Sequence, residues 1–121
     1  MERILLKNAK IVMGNKIIKG SLLIEDSKIK NIFENKENVN SENLEINKTI
    51  DLEGKILGPA FIDVHTHGAD GADAMDISED GLKKISKYLA SEGTGNFLAT
   101  TLTSSKEILK ETLETIGKLQ N

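Results

Sequence analysis

His65-Thr66-His67 closes the apolar run Gly58-Pro59-Ala60-Phe61-Ile62-Asp63-Val64 and carries the only two histidines of the chain. On an extended strand, side chains two apart point to the same side. Their Cα atoms are then about 6.6 Å apart, at a rise of about 3.3 Å per residue. From that spacing two imidazoles can converge on one metal ion, with Zn–N bonds of about 2.0–2.1 Å. Alternation places Asp63 on the histidine face and Ala60, Ile62 and Val64 on the other. An apolar back with an Asp, His, His front suits a site better than a plain core. A His-x-His pair also serves as ordinary hydrogen-bonded core or surface residues. The polar front and the glycine-rich segment Gly68-Ala69-Asp70-Gly71-Ala72-Asp73 that follows favour metal ligation by His65 and His67. Asp63 lies deeper and is expected to be a structural, hydrogen-bonding carboxylate.

Other candidates are weaker. Asp70, Asp73 and Asp76 do not meet the alternate-ligand pattern of an EF-hand and read as loop and cap carboxylates. Gly93-Thr94-Gly95 is half of a dinucleotide fingerprint and precedes a strand, where the motif should open a helix. Thr100, Thr101 and Thr103 either line a site or satisfy strand-end backbone, and the second role is the expected one. Met75 reads as a packing residue.

These residues need a scaffold. The chain has 121 residues, enough for one modest domain or part of a larger one. A net charge of −3 gives no field for nucleic acid or an anionic membrane. Cysteine is absent, which removes disulfides, thiolate metal sites and cysteine nucleophiles. Ile4–Leu6 is too short for a signal core, and no apolar run approaches about 18 residues. A soluble, cytoplasmic protein is expected. The sequon Asn47-Lys48-Thr49 then reads as an accident of an Asn- and Lys-rich composition.

Residues 1–56 read as a small, mostly antiparallel β unit. Ile4–Leu6 and Ile11–Met13 are apolar runs, and Gly14-Asn15 predicts a hairpin into Lys16–Ile18. Asp26-Ser27 predicts a second hairpin between Ser21–Glu25 and Lys28–Phe33. Glu34–Asn43 is polar and aperiodic, a surface loop or local disorder. Leu44–Leu52 alternates as a strand. Residues 57–121 switch to strand, helix, strand, helix, an α/β unit with parallel strands. Phe61–His67 is the first strand. Ser78 caps a helix carrying Leu82, Ile85 and Leu89, which Gly93 stops. Asn96–Thr101 is the second strand, apolar toward both faces. Ser104-Ser105-Lys106-Glu107 reads as a capping box before a helix with Leu109, Leu113 and Ile116 on one stripe.

Gly58–Gly68 resembles the first barrel strand of the amidohydrolase superfamily. Two further segments, Gly68–Asp76 and Glu92–Ser104, are similar to the N-acetylglucosamine-6-phosphate deacetylase family. The resemblance spans most of the chain, with two departures: Ala60 stands where the family usually has Gly, and Gly95 where Thr or Ser is common. It implies a (β/α)8 barrel with a small β-sandwich built from both chain ends. Residues 1–56 would be part of that sandwich and residues 57–121 the first βα units. It also implies a divalent metal, zinc or iron, with His65 and His67 matching the first-strand histidines. Some members lack that pair and hold a single metal elsewhere. By analogy the metal activates a water and polarises the acetyl carbonyl, and an aspartate late in the barrel carries a proton to the leaving amine. The products would be glucosamine 6-phosphate and acetate. A small amino-sugar phosphate is the implied partner, and a homo-oligomer the implied full-length state.

Family members are about three times this long, given a barrel of about 250 residues plus the β domain. The expectation is therefore an N-terminal fragment, from a partial gene, a shortened polypeptide or a split chain. It would hold no catalytic residue of its own and would be inactive and poorly stable alone. The rivals are another amidohydrolase (N-acetylgalactosamine-6-phosphate deacetylase, dihydroorotase or adenine deaminase) and a non-catalytic remnant or split-enzyme subunit.

Overall fold

Gly14, with φ +49°, supplies the left-handed turn that joins β1 (Arg3–Met13) to β2 (Lys16–Glu25). Asp26 and Ser27, at φ 46° and 66°, close β2 onto β3 (Lys28–Glu34) with both turn residues left-handed. Two successive positive-φ residues match the right-handed twist of flanking strands. Both expected hairpins are thus present in the computed structural model, which describes residues 2–35, 39 and 44–119. Most of the expected loop at 34–43 lies outside the described residues.

The chain divides into two compact units, Met1–Pro59 and Ala60–Asn121. In the first, the two apolar runs of the N-terminus belong to one strand, β1. Its register shifts between Leu6 and Ala9, where Asn8 takes φ 56°. Asp51 secures that bulge: its carboxylate accepts from Asn8 Nδ2 at 3.0 and 2.9 Å and from the Glu53 main-chain N–H at 2.9 Å. The unit is less antiparallel than expected. β4 (Lys48–Asp51) and β5 (Ile56–Leu57) both run parallel to β1, giving the order β3-β2-β1-β4 with β5 farther along β1. The alternation from Leu44 over-extends β4, because only Lys48–Asp51 register with β1. Ala9, Ile11, Ile18 and Leu22 form the core.

Glu25 ends β2 between two cations, with Arg3 Nε at 2.7 Å and Lys30 Nζ at 2.8 Å. The hydrogen bonds from Lys30 and then Arg3 hold its carboxyl below the ordinary value. A carboxylate whose folded pKa is depressed contributes stability above its unfolded pKa and loses it as pH falls through the folded one. Urea midpoints should therefore drop as pH falls from about 5 to about 3, around the ordinary carboxylate range. Glu25→Gln should lower the midpoint at neutral pH and flatten that acid limb; an unchanged limb would count against the pairing.

In the second unit, β6 (Phe61–Thr66) and β9 (Thr94–Ala99) pair in parallel. α1 (Glu79–Ser91) connects them and α2 (Lys106–Gly117) follows β9. This is the expected strand, helix, strand, helix order. Ser78 Oγ accepts the Gly81 N–H at 3.0 Å and starts α1. Leu82 and Ile85 bury its inner face, and Gly93, at φ +86°, ends it. The loop after β6 is more ordered than a glycine-rich segment suggests. Gly68–Ala69 (β7) and Ala72–Asp73 (β8) form a minimal hairpin around Asp70 and Gly71. A 3-10 turn follows at Ala74–Asp76, closed by a capping box of Asp73 and Asp76. Asp70 pairs with Lys84 at 3.6 Å. The three aspartates are loop and cap carboxylates, as expected.

Several boundaries shift. β6 stops at Thr66, so His67 lies just past the strand. β9 begins at Thr94, because Thr94 already registers with Phe61. It ends at Ala99, where the chains begin to part. α2 is capped by Ser105, whose Oγ accepts the Ile108 N–H at 3.3 Å; Ser104 is not the cap. Its buried face centres on Thr112 and Thr115, which turns Leu113 outward to 58% exposure. The apolar backs of the strands are also open: Ile62 and Val64 are each 68% exposed and Leu98 61%, so β9 is not buried on both faces. No helix among the described residues is long and apolar enough to cross a membrane.

Candidate metal site

The C-terminal ends of β6 and β9 bring the two imidazoles together. His65 Nε2 and His67 Nε2 lie 3.2 Å apart. The rings are edge-on, with centroids 4.9 Å apart and planes at 89°. Two nitrogens each about 2.05 Å from a tetrahedral zinc would be separated by about 3.3 Å. The separation of the two nitrogens matches that of two ligands on one such ion. His67 is also pre-set. Its Nδ1 lies 2.8 Å from the Thr100 main-chain oxygen. A carbonyl only accepts, so Nδ1 carries the hydrogen and the Nε2 lone pair is left toward His65. With no ion present, a hydrogen on His65 Nε2 would satisfy that lone pair. An ion would displace it.

Strict alternation along β6 does not hold. The register with β9 slips between Asp63 and Thr66, a bulge of the kind that re-aims side chains near sites. Asp63 takes the structural part expected of it: Oδ1 accepts the His65 main-chain N–H at 3.0 Å and so fixes the backbone under the first imidazole. Among the described residues, no group of three or more His, Cys, Asp or Glu side chains could hold a metal ion. The pair stands as two converging donors.

Thr100 matters here through its main chain. Its N–H donates to the Thr66 carbonyl at 2.8 Å, its carbonyl accepts from His67, and its hydroxyl donates to the Leu98 carbonyl at 3.1 Å. The hydroxyl thus does satisfy strand-end backbone, as the sequence suggested. The carbonyl contact carried no signal there, because every residue type has a carbonyl. Met75 does more than pack: its sulfur accepts the Leu102 N–H at 3.4 Å.

Ala60 and Gly95 meet in space. The register steps from Phe61↔Thr94 to Ile62↔Asn96, which leaves Gly95 as the extra residue of a bulge. A Cβ on Gly95 would stand 2.7 Å from the Ala60 Cβ. The methyl at position 60 occupies the room that a side chain at 95 would need, so the two positions exclude each other's larger residues.

Comparisons with known proteins agree with the resemblance. No protein-family profile matches the chain. The N-acetylglucosamine-6-phosphate deacetylase of Bacillus subtilis (strain 168) is 37% identical over 113 residues, covering 93% of this chain and 28% of that protein. The N-acetylgalactosamine-6-phosphate deacetylase of Escherichia coli O157:H7 is 38% identical over 66 residues, 54% of this chain and 18% of that protein. A dihydroorotase of Ligilactobacillus salivarius (strain UCC118) is 39% identical over 66 residues, 54% of this chain and 15% of that protein. The chain thus spans less than a third of these curated relatives. In structure, N-acetyl-D-glucosamine-6-phosphate deacetylase from Mycobacterium smegmatis superposes with a TM-score of 0.77 at 17% identity, covering 98% of this chain and 29% of that one. That likeness concerns the fold.

Proposed function

We propose that this chain is the opening portion of a metal-dependent N-acetylglucosamine-6-phosphate deacetylase, in which His65 and His67 supply two imidazole ligands. Residues 1–56 would form part of a composite β-sandwich and residues 57–121 the first βα units of a (β/α)8 barrel. The observation that carries the reading is the 3.2 Å approach of the two Nε2 atoms at the C-terminal end of a parallel strand, the end where barrel enzymes keep their chemistry. The 37% identity to the Bacillus subtilis deacetylase supplies the substrate class, an N-acetylated amino-sugar phosphate.

The chain's own residues would hold and aim. Thr100 fixes the His67 ring through its carbonyl, and Asp63 fixes the His65 backbone. A divalent ion, zinc or iron, would when bound polarise the acetyl carbonyl and lower the pKa of a water. Catalytic zinc usually takes three protein ligands, so two imidazoles are one short. The remaining ligand and the proton-transfer group would come from outside the described residues.

A hybrid tests the assignment. Residues 1–121 replace the corresponding segment of the Bacillus subtilis deacetylase, and acetate release is measured with three substrates. Expected is turnover of N-acetylglucosamine 6-phosphate. A folded hybrid that instead prefers N-acetylgalactosamine 6-phosphate would favour the second reading, which the 38% match to that deacetylase supports. A folded hybrid that opens dihydroorotate and releases no acetate would overturn both.

A further inference from the structure

We propose that Met75 is a positioning residue for the His67 imidazole: its sulfur holds the main chain at Leu102, and through it the Thr100 carbonyl that sets the His67 tautomer. The consequence for a metal rests on the ligand reading above; the effect on the tautomer does not.

The argument follows the hydrogen bonds past the last strand pair. The β6–β9 ladder closes at Thr100 N–H to Thr66 O, 2.8 Å. Beyond it the two chains separate, and three contacts keep them in place. The His67 carbonyl accepts the Ala74 N–H at 2.7 Å, which holds the 3-10 turn against His67. Met75, the next residue of that turn, accepts the Leu102 N–H on its sulfur at 3.4 Å. Two residues before Leu102, the Thr100 carbonyl takes the His67 Nδ1 hydrogen at 2.8 Å. The contacts form a closed circuit: His67 ring, Thr100, Leu102, Met75, Ala74, His67 backbone.

Met75 is built to act as an anchor in that circuit. Its N–H donates to Asp73 Oδ1 at 2.8 Å, and the Asp73–Asp76 capping box closes the turn around it. The sulfur is therefore carried on a fixed base. A thioether is a weak acceptor, so its effect lies in where it places Leu102. The direction of the Thr100 carbonyl depends on the path of the next two residues, and that path ends on Met75. Leucine keeps most of the bulk and removes the acceptor. Glutamine has similar length and offers an amide oxygen.

The test has two arms, the first on the 121-residue chain and the second on the hybrid with the Bacillus subtilis deacetylase, which would complete the ligand set. In the first, without metal, nitrogen-15 NMR of the histidine rings reads the His67 tautomer. The wild type should show hydrogen on Nδ1, Met75→Leu a mixture of tautomers, and Met75→Gln a return to the wild-type pattern. In the second, zinc affinity is measured by competition with a chromophoric chelator. M75L should bind about tenfold more weakly, the scale of losing an outer-shell partner, and M75Q should recover. A purely structural role would lower the melting temperature of M75L and leave the tautomer and the affinity at wild-type values, and that result overturns the proposal. If M75L does not fold, an amide-to-ester change at Leu102 deletes the donor from the other side; an unaltered tautomer there overturns it equally. A folded wild-type hybrid that binds no zinc defeats the ligand reading, while the first arm still decides the part played by Met75.

Discussion

Alanine at His67 is expected to weaken zinc binding by more than about 100-fold, beyond the 10–100-fold typical of losing a mere outer-shell partner. The reason is chelation. The wild-type chain presents two Nε2 atoms 3.2 Å apart, close to the separation an ion would impose, so the second bond forms at little ordering cost. With one imidazole gone, the other binds as a lone surface histidine does. His65→Ala should have the same effect, and the double variant should be scarcely worse than either single, because each change alone destroys the chelate. Competition titration reads all three. Unchanged stoichiometry and affinity in the single variants would remove these residues from the site.

Threonine at Gly95 is expected to cost about 1–3 kcal/mol, the range for overpacking a closed contact. Its Cβ would stand 2.7 Å from the Ala60 methyl, closer than unstrained carbons approach. The partner change Ala60→Gly should relieve the penalty, so that Ala60→Gly/Gly95→Thr is more stable than the sum of the two single effects predicts. The double-mutant cycle isolates this coupling, measured by urea denaturation. Additive effects would show that the two positions do not share the space.

That steric coupling shows what the sequence could and could not disclose. Ala60 and Gly95 are each visible as an unusual residue, but their pairing depends on a bulge in a parallel ladder, which no local pattern announces. The hairpins at Gly14-Asn15 and Asp26-Ser27, the Ser78 cap and the Gly93 stop were legible because each rests on the conformational preference of the residue itself. The approach of His65 and His67 was legible from strand geometry, although the slip between Asp63 and Thr66 breaks the simple alternation. Main-chain partners were not legible: the Thr100 carbonyl on His67 depends on how two distant strands register. The parallel addition of β4 and β5 to β1 escaped for the same reason. On α2, apolar spacing pointed to Leu113, whereas packing chose the threonine side, since amphipathic stripes this short leave the rotation of a helix weakly determined.

Phe61, Ile62 and Val64 stand 72%, 68% and 68% exposed. They form an apolar, β-prone segment of the kind that templates further strand pairing. During synthesis the chain grows at about 5–20 residues per second, and β6 emerges before its partner β9 has been made. Until β9 arrives the ribosome would hold out an unpaired apolar strand whose best company is a holding chaperone. The same residues that present the histidines would then make the nascent polypeptide dependent on escort before the two imidazoles can meet.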